Sequence, residues 1–349
     1  RCSRDWSSDV CSSDLVDKLL TAVEAPVELP GRTLTTSVSI GVALYPDDGE
    51  DFTTLMKNAD TAMYHAKDAG RNTYRMFDEA MNHQVQEALR LRSNFQRGLA
   101  GGEFVLHYQP LLDLKSGRVV GAEALVRWHD PERGMLSPGH FIPVAESSGM
   151  IVPLGAWVLR EACRQAARWQ ALGGEPLVVA VNISAIQFKR GNLEQTVAEA
   201  LSDSGLPPDR LEIELTESTL LHQTDEVLAT LQRLREFGVR LSIDDFGTGY
   251  SSLARERELN VDCLKIDKYF IDKLLTIDPG NAITADIISM AHKLGHYVIA
   301  EGVEHEEQKE YLRNNGCEKI QGYLIARPLD EEAVNGLIRR QAESGPESA

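Results

Sequence analysis

Eight short apolar runs, separated by stretches of helical period, recur between residues 104 and 325. They cover 104–114, 119–128, 177–183, 211–215, 239–243, 263–266, 297–300 and 320–325. Between them, 156–172, 224–237 and 282–294 repeat their apolar residues at helical spacing. Each stops at a glycine, Gly173, Gly238 and Gly295, the residue that closes a helix C-terminus without steric cost. Strands alternating with helices argue for βα units and a largely parallel sheet. Eight such units over about 235 residues fit one closed (β/α)8 barrel of the TIM type.

The 349 residues leave room for a second, smaller domain ahead of the barrel. Residues 16–78 predict a strand over 33–44, a turn at Tyr45-Pro46-Asp47-Asp48-Gly49, and a helix capped by Asp51. That helix has an apolar face of Leu55, Ala59, Ala62, Met63 and Ala66 and ends at Gly70. A linker helix over 79–94 follows, continuing toward Ala100, with Leu89, Leu91, Phe95 and Leu99 as its apolar contacts. The larger domain is expected over 95–338 and a disordered tail over 339–349. Residues 1–15 have no hydrophobic period and a WSSD/CSSD near-repeat; 5–15 read as one frame of a sequencing-library adapter, so this stretch is expected to be unstructured and to lie outside the natural fold.

A net charge of −17 argues against a protein that coats nucleic acid, whose affinity comes from Lys and Arg neutralising many phosphates. No stretch approaches the roughly 20 apolar residues of a membrane span. Cys163, Cys263 and Cys317 are far apart and form no CxxC pair, which fits buried thiols in a reducing cytoplasm rather than a zinc site or disulfide framework.

Barrel active sites are built from side chains at the C-terminal ends of the strands. Here those ends are acidic: Glu123 in run two, Glu214 and Glu217 in run four, Asp244-Asp245 in run five, Asp267 after Lys265 in run six, and Glu301 after run seven. Asn182 ends run three and Gln321 opens run eight. A single such residue is ordinarily solvated or salt-bridged. A cluster of carboxylates at one opening raises the pKa of each member and is costly without cations. Oxygen ligands with a neutral Asn suit hard ions such as Mg²⁺ or Mn²⁺ better than zinc. Adjacent Asp244 and Asp245 can face two ions about 3.5 to 4 Å apart, the geometry of two-metal phosphodiester hydrolysis. Lys265 would orient the attacking water or neutralise charge, and Gly247 and Gly249 would let the following loop approach a ligand.

In order along residues 88–330, Tyr108-Gln109-Pro110, Glu123-Ala124-Leu125, Asn182, Glu214 with Glu217, the loop from Asp244 to Ser252, Lys265-Ile266-Asp267, Glu301-Gly302-Val303-Glu304 and Gln321-Gly322-Tyr323 resemble the EAL domain, which hydrolyses cyclic di-GMP. The resemblance implies Glu123, Asn182, Glu214 and Asp244 as ligands of a first metal, Asp244 and Asp245 as ligands of a second, and Glu301 acting through water. It implies Lys265, Glu301, Glu123 and Glu217 as the catalytic set, with Glu217 tethering the loop. Gln109, Arg127, Asp267 and Gln321 become substrate contacts, linear pGpG the product, and the first strand antiparallel to the other seven. It also implies a homodimer through the helix after Ser252, against which Glu256 and Asn260 stand where the family has an apolar residue and proline.

Residues 16–77 resemble the C-terminal half of a GGDEF domain through Ser39-Ile40-Gly41-Val42-Ala43 and Ala59-Asp60 to Asn72, without the signature itself. No cyclase activity is expected of it. The readings in contention are an active phosphodiesterase, a catalytically silent cyclic di-GMP receptor, and, from a different class, a sugar-phosphate barrel enzyme.

Overall fold

The computed structural model describes residues 8–30, 32–68, 70–172, 176–217, 219, 225–247, 261–275 and 283–343. The stretch through Glu256 and Asn260, on which the dimer expectation bears, lies outside them, as do the residues from 344 onward. The chain divides into two compact units, Arg1–Ser93 and Asn94–Ala349.

In the first unit, α1 (Ser8–Glu24) precedes an antiparallel pair, β1 (Val27–Leu29) and β2 (Arg32–Leu34), and a parallel pair, β3 (Ile40–Val42) and β4 (Tyr74–Met76). Between β3 and β4 runs α2 (Phe52–Asp68). Asp51 caps it, accepting from the Thr54 backbone N–H at 2.9 Å and from the Thr54 hydroxyl at 2.7 Å. Ala62 and Ala66 are buried on the expected face. A Cβ on Gly41 would collide with the α2 backbone at Ala59 and Met63, so strand and helix touch through that glycine.

Two expectations here need correction. The strand over 33–44 is two short strands, because β2 turns back on β1 while β3 pairs with β4, and Thr35 to Ser39 join neither ladder. The stretch 1–15 is helical from Ser8: once a helix exists beyond Val16, each added residue needs no new nucleus, and polar Ser and Asp can extend it.

The helix α3 (Glu79–Ala100) passes from one unit into the other. Its Phe95 is wholly buried in the second unit, with ring centroids 5.0 Å from Phe104 and 5.3 Å from Trp128. Leu89, read as an apolar contact, is instead 61% exposed.

The second unit is a closed eight-stranded barrel. Its strands are β5 (Phe104–Asp113), β6 (Val119–Asp130), β8 (Val178–Asn182), β9 (Leu211–Thr216), β10 (Arg240–Phe246), β11 (Cys263–Ile266), β12 (Tyr297–Ala300) and β13 (Lys319–Ile320). A short β7 (Gly134–Leu136) hangs on β6 outside the ring. β5 pairs antiparallel with both β6 and β13, closing the sheet, while the remaining neighbours run parallel. The first strand is therefore antiparallel to the other seven. The helices α4 (Pro138–Ser148) and α5 (Ile151–Ala171) follow β7, and α6 (Ala185–Arg190) and α7 (Leu193–Ser204) follow β8.

The eighth strand is shorter than the apolar run 320–325. After Ile320 the chain turns around Val303: Val303 N–H donates to Gln321 O and Leu324 N–H to Val303 O, each at 3.0 Å. A Cβ on Gly322 would meet the Val303 backbone, so only glycine permits that turn. The terminal helix (Glu331–Glu343) also runs past the residue at which disorder was expected. Gln341 explains it, since its amide bonds both the N–H and the C=O of Val119 at 2.7 and 2.8 Å.

Candidate active site

Parallel register brings the predicted residues level with one another at the C-terminal mouth. Asn182 pairs with Glu214, Thr216 with Asp244, and Gln109 with Glu123 across the antiparallel pair. At their centre is Lys265, the one charged residue among the largest fully buried side chains. Its Nζ lies 2.5 Å from Glu301 Oε1, 2.8 Å from Glu214 Oε1, 3.5 Å from Asp244 Oδ1 and 3.6 Å from Glu123 Oε2.

Glu123 is fixed from both sides: Asn182 Nδ2 donates to Oε1 and Gln321 Nε2 to Oε2, each at 2.6 Å. Gln321 Nε2 also reaches Gln109 Oε1 at 3.0 Å. Burial works to raise the Glu123 pKa, but Lys265 and these amide donors outweigh it and hold the carboxyl below its usual range. Burial pushes Glu214 well above that range, aided by Glu123, Asp244 and Glu301 against Lys265. Glu301 is pushed up to about 8, by burial first and then by Asp244 and Glu123, with Lys265 opposing. Burial lowers Lys265, yet the four carboxylates raise it well above an ordinary lysine, so it is an ammonium.

Asp244 and Asp245 occupy an irregularity at the end of β10, where the register with β11 shifts between Ile243 and Phe246. Asp245 has φ +56°, a conformation costly for a residue with a Cβ, and its N–H donates to Asp244 Oδ1 at 3.0 Å. Asp245 is pushed up to about 6 by burial, then by Asp244 and Asp267. Glu217 is buried and accepts from the Gly247 N–H at 3.1 Å; Gly249 and the stretch on to Ser252 lie outside the described residues.

The remaining predicted residues are less convergent. Asp267 caps the helix Lys268–Lys273 through the Tyr269 N–H at 2.8 Å. Arg127 lies four residues beyond Glu123 on β6, half-buried, its guanidinium donating to Val126 O at 2.9 Å.

A cavity of about 410 Å³ beside the cluster is lined by the expected Leu125 and Asn182 and by residues not anticipated, among them Pro138, Pro143, Glu146 and Ser184. Ser184 donates to Glu146 at 2.6 Å and forms a capping box with Gln187 that starts α6 immediately after Asn182. Ser184-Ala185-Ile186-Gln187 carries the sequence signature of that box, so this anchor of Asn182 was open to detection.

The donor set suits a hard divalent cation: all-oxygen, negatively charged, and including buried atoms that await a partner. Both Glu214 oxygens, Glu301 Oε1 and Lys265 Nζ make no hydrogen bond of regular geometry. Among the described residues no three acidic side chains close into a metal cage as they stand; the ammonium occupies the point toward which they converge.

Residues 92–328 match the EAL domain model, and 8–73 match that of the diguanylate cyclase GGDEF domain. The chain is 43% identical over 323 residues to the bifunctional diguanylate cyclase/cyclic di-GMP phosphodiesterase MucR of Pseudomonas aeruginosa, covering 93% of this chain and 47% of that protein. It is 43% identical over 335 residues to the cyclic di-GMP phosphodiesterase NbdA of the same organism, covering 96% and 43%. It thus spans less than half the length of these curated relatives. A solved structure described as the PaMucR phosphodiesterase in complex with c-di-GMP aligns with TM-score 0.67 and 42% identity, over 70% of this chain and 99% of that one. The EAL domain of Mycobacterium smegmatis DcpA aligns with TM-score 0.58 and 35% identity, over 68% and 99%.

Proposed function

Since this chain belongs to the EAL-domain family, with part of a GGDEF domain ahead of its barrel, we propose that it hydrolyses cyclic di-GMP to linear pGpG with the help of two Mg²⁺ or Mn²⁺ ions. The observation that carries the reading is the convergence of Glu123, Glu214, Asp244 and Glu301 from four strands on one buried point, with Asn182 and Asp245 beside them.

Glu123, Asn182, Glu214 and Asp244 would hold one ion, and Asp244 and Asp245, with Glu301 through water, the other. Bound there, such ions supply Lewis-acid polarisation of a phosphate oxygen and of the attacking water. The chain's own residues do the rest. Asn182 turns its Nδ2 to Glu123, which leaves Oδ1 as the atom offered to a cation. Gln321, itself bonded to Gln109, holds Glu123 in one orientation, and both amides border the substrate. Lys265 neutralises charge that develops on the reacting phosphate. Glu217 keeps the base of the loop after Asp245 in place through the Gly247 N–H. Arg127 meets the phosphates or bases from the same face of β6 as Glu123, and Asp267 reaches the dinucleotide from beside Asp245.

Among the described residues no helix is long and apolar enough to cross a membrane. We assign this part of the protein to the cytoplasm on its free, buried Cys163, Cys263 and Cys317, which fit a reducing compartment. The test is to incubate the full chain with cyclic di-GMP and Mn²⁺ or Mg²⁺ and chromatograph the products beside Glu123→Ala and a chelated control. Formation of pGpG only in the metal-loaded, unsubstituted sample is expected. Binding without pGpG from a folded sample would overturn the hydrolase reading in favour of a silent receptor.

A further inference from the structure

Lys265 Nζ is surrounded by the same oxygens that the proposed ions require, within 3.6 Å of four carboxylates. Its side chain is wholly buried, and Nζ makes no hydrogen bond of regular geometry. The ammonium sits at the centre of the carboxylates' charge, 2.5 Å from Glu301 and 2.8 Å from Glu214. Four carboxylates drawn from β6, β9, β10 and the end of β12 would repel one another without it, because burial strips them of the water that ordinarily screens such charges.

A divalent ion drawn to these oxygens brings twice the charge to the same place and repels the ammonium. Carboxylates that are already assembled and fixed, as Glu123 is by Asn182 and Gln321, need no folding transition to receive it. What must move is the ammonium at their centre, the group the incoming ion repels.

We propose that Lys265 is a resident internal cation of the carboxylate cluster, holding it together without divalent ions and giving way as they bind, so that metal affinity is set by competition with the protein's own ammonium. This rests on the metal-binding reading above. It makes Lys265 a positioning residue for the cluster in addition to its part in the reaction, and it explains how so acidic a site folds before it is loaded.

The experiment uses the full chain and Lys265→Met, which keeps the length of the stem and removes the charge, with Lys268→Met as the control. Lys268 is a solvent-facing lysine paired to Glu304 and Asp272. Mn²⁺ is titrated calorimetrically, and melting is followed in chelator and in saturating Mn²⁺. In chelator, Lys265→Met melts below the parent. In Mn²⁺ it regains more stability than the parent gains, and it binds Mn²⁺ at least ~10-fold tighter, about 1.4 kcal/mol. Lys268→Met changes none of these. A merely structural lysine would weaken Mn²⁺ binding when lost, so equal or weaker binding by Lys265→Met overturns the proposal.

Should that variant fail to fold, the parent crystallised with Mn²⁺ decides. Nζ withdrawn beyond hydrogen-bond distance of Glu214 and Glu301 supports the proposal; Nζ still on both with the ion bound refutes it. If the parent binds no Mn²⁺ in either experiment, the metal reading falls and this inference with it. If it binds Mn²⁺ and forms pGpG while Lys265→Met gains no affinity, only the inference falls.

Discussion

Replacing Gln321 with leucine isolates one function of the site, because leucine fills a similar volume but donates nothing. Gln321 is 3% exposed, and its Nε2 donates to the Glu123 carboxylate at 2.6 Å and to the Gln109 amide at 3.0 Å. A hydrogen bond to a charged group contributes about 1.5–3 kcal/mol and a neutral one about 0.5–1.5 kcal/mol. The two together put the loss at roughly 2–4 kcal/mol. For a unit of this size each kcal/mol lowers the melting temperature by about 2–4 °C, so a fall of roughly 5–15 °C is expected. Glu123 would keep only the Asn182 donor and could rotate, and groups that orient a ligand in this way typically contribute 10- to 100-fold in metal affinity. Differential scanning fluorimetry in chelator reads the first effect, and the Mn²⁺ concentration for half-maximal pGpG formation reads the second. A Gln321→Leu protein that melts within about 1 °C of the parent and needs no more Mn²⁺ would show that Asn182 and Lys265 suffice to hold Glu123, and would refute the reasoning.

Three further outcomes are expected. Gly322→Ala forces a methyl against the Val303 backbone, costing about 1–3 kcal/mol and displacing the adjacent Gln321. Activity should fall ~100-fold, as a shift of about 1 Å in a positioned group does, and an unchanged kcat would argue against it. Gln341→Ala on the terminal helix removes both bonds to Val119 of β6 and should cost about 1–3 kcal/mol in chemical denaturation while leaving kcat alone. Incubated with GTP and Mg²⁺, the chain should form no cyclic di-GMP by chromatography, since the residues matching the GGDEF model carry no such signature; any accumulation in a Glu123→Ala background would contradict this.

The barrel was legible because strand and helix alternate with a period the hydrophobic pattern records directly, and because its acidic residues collect where strands end. Less legible were features decided by partners rather than by pattern. The stretch 33–44 reads as one strand, but β2 and β3 are recruited by different neighbours. The apolar run after Ile320 reads as strand, but Gly322 lets it wrap around Val303. Leu89 falls on an apolar stripe and remains exposed because a stripe names a face without naming what covers it.

Depth within the barrel is the other hidden quantity. Glu212 and Glu214 are two residues apart on β9, so period two turns both inward, and both are 1% exposed. Register separates their fates. Glu214 lies level with Asn182, within reach of Lys265; Glu212 lies one layer below and accepts from the Tyr297 hydroxyl at 2.7 Å. Lys265 itself reads in sequence as a strand-end lysine beside acidic residues, an arrangement that on a surface would contribute under about 1 kcal/mol. Because the closed ring carries it to full burial among four carboxylates, the same residue types make a site in which every charge depends on the others, and removing any one of them changes the state of the rest.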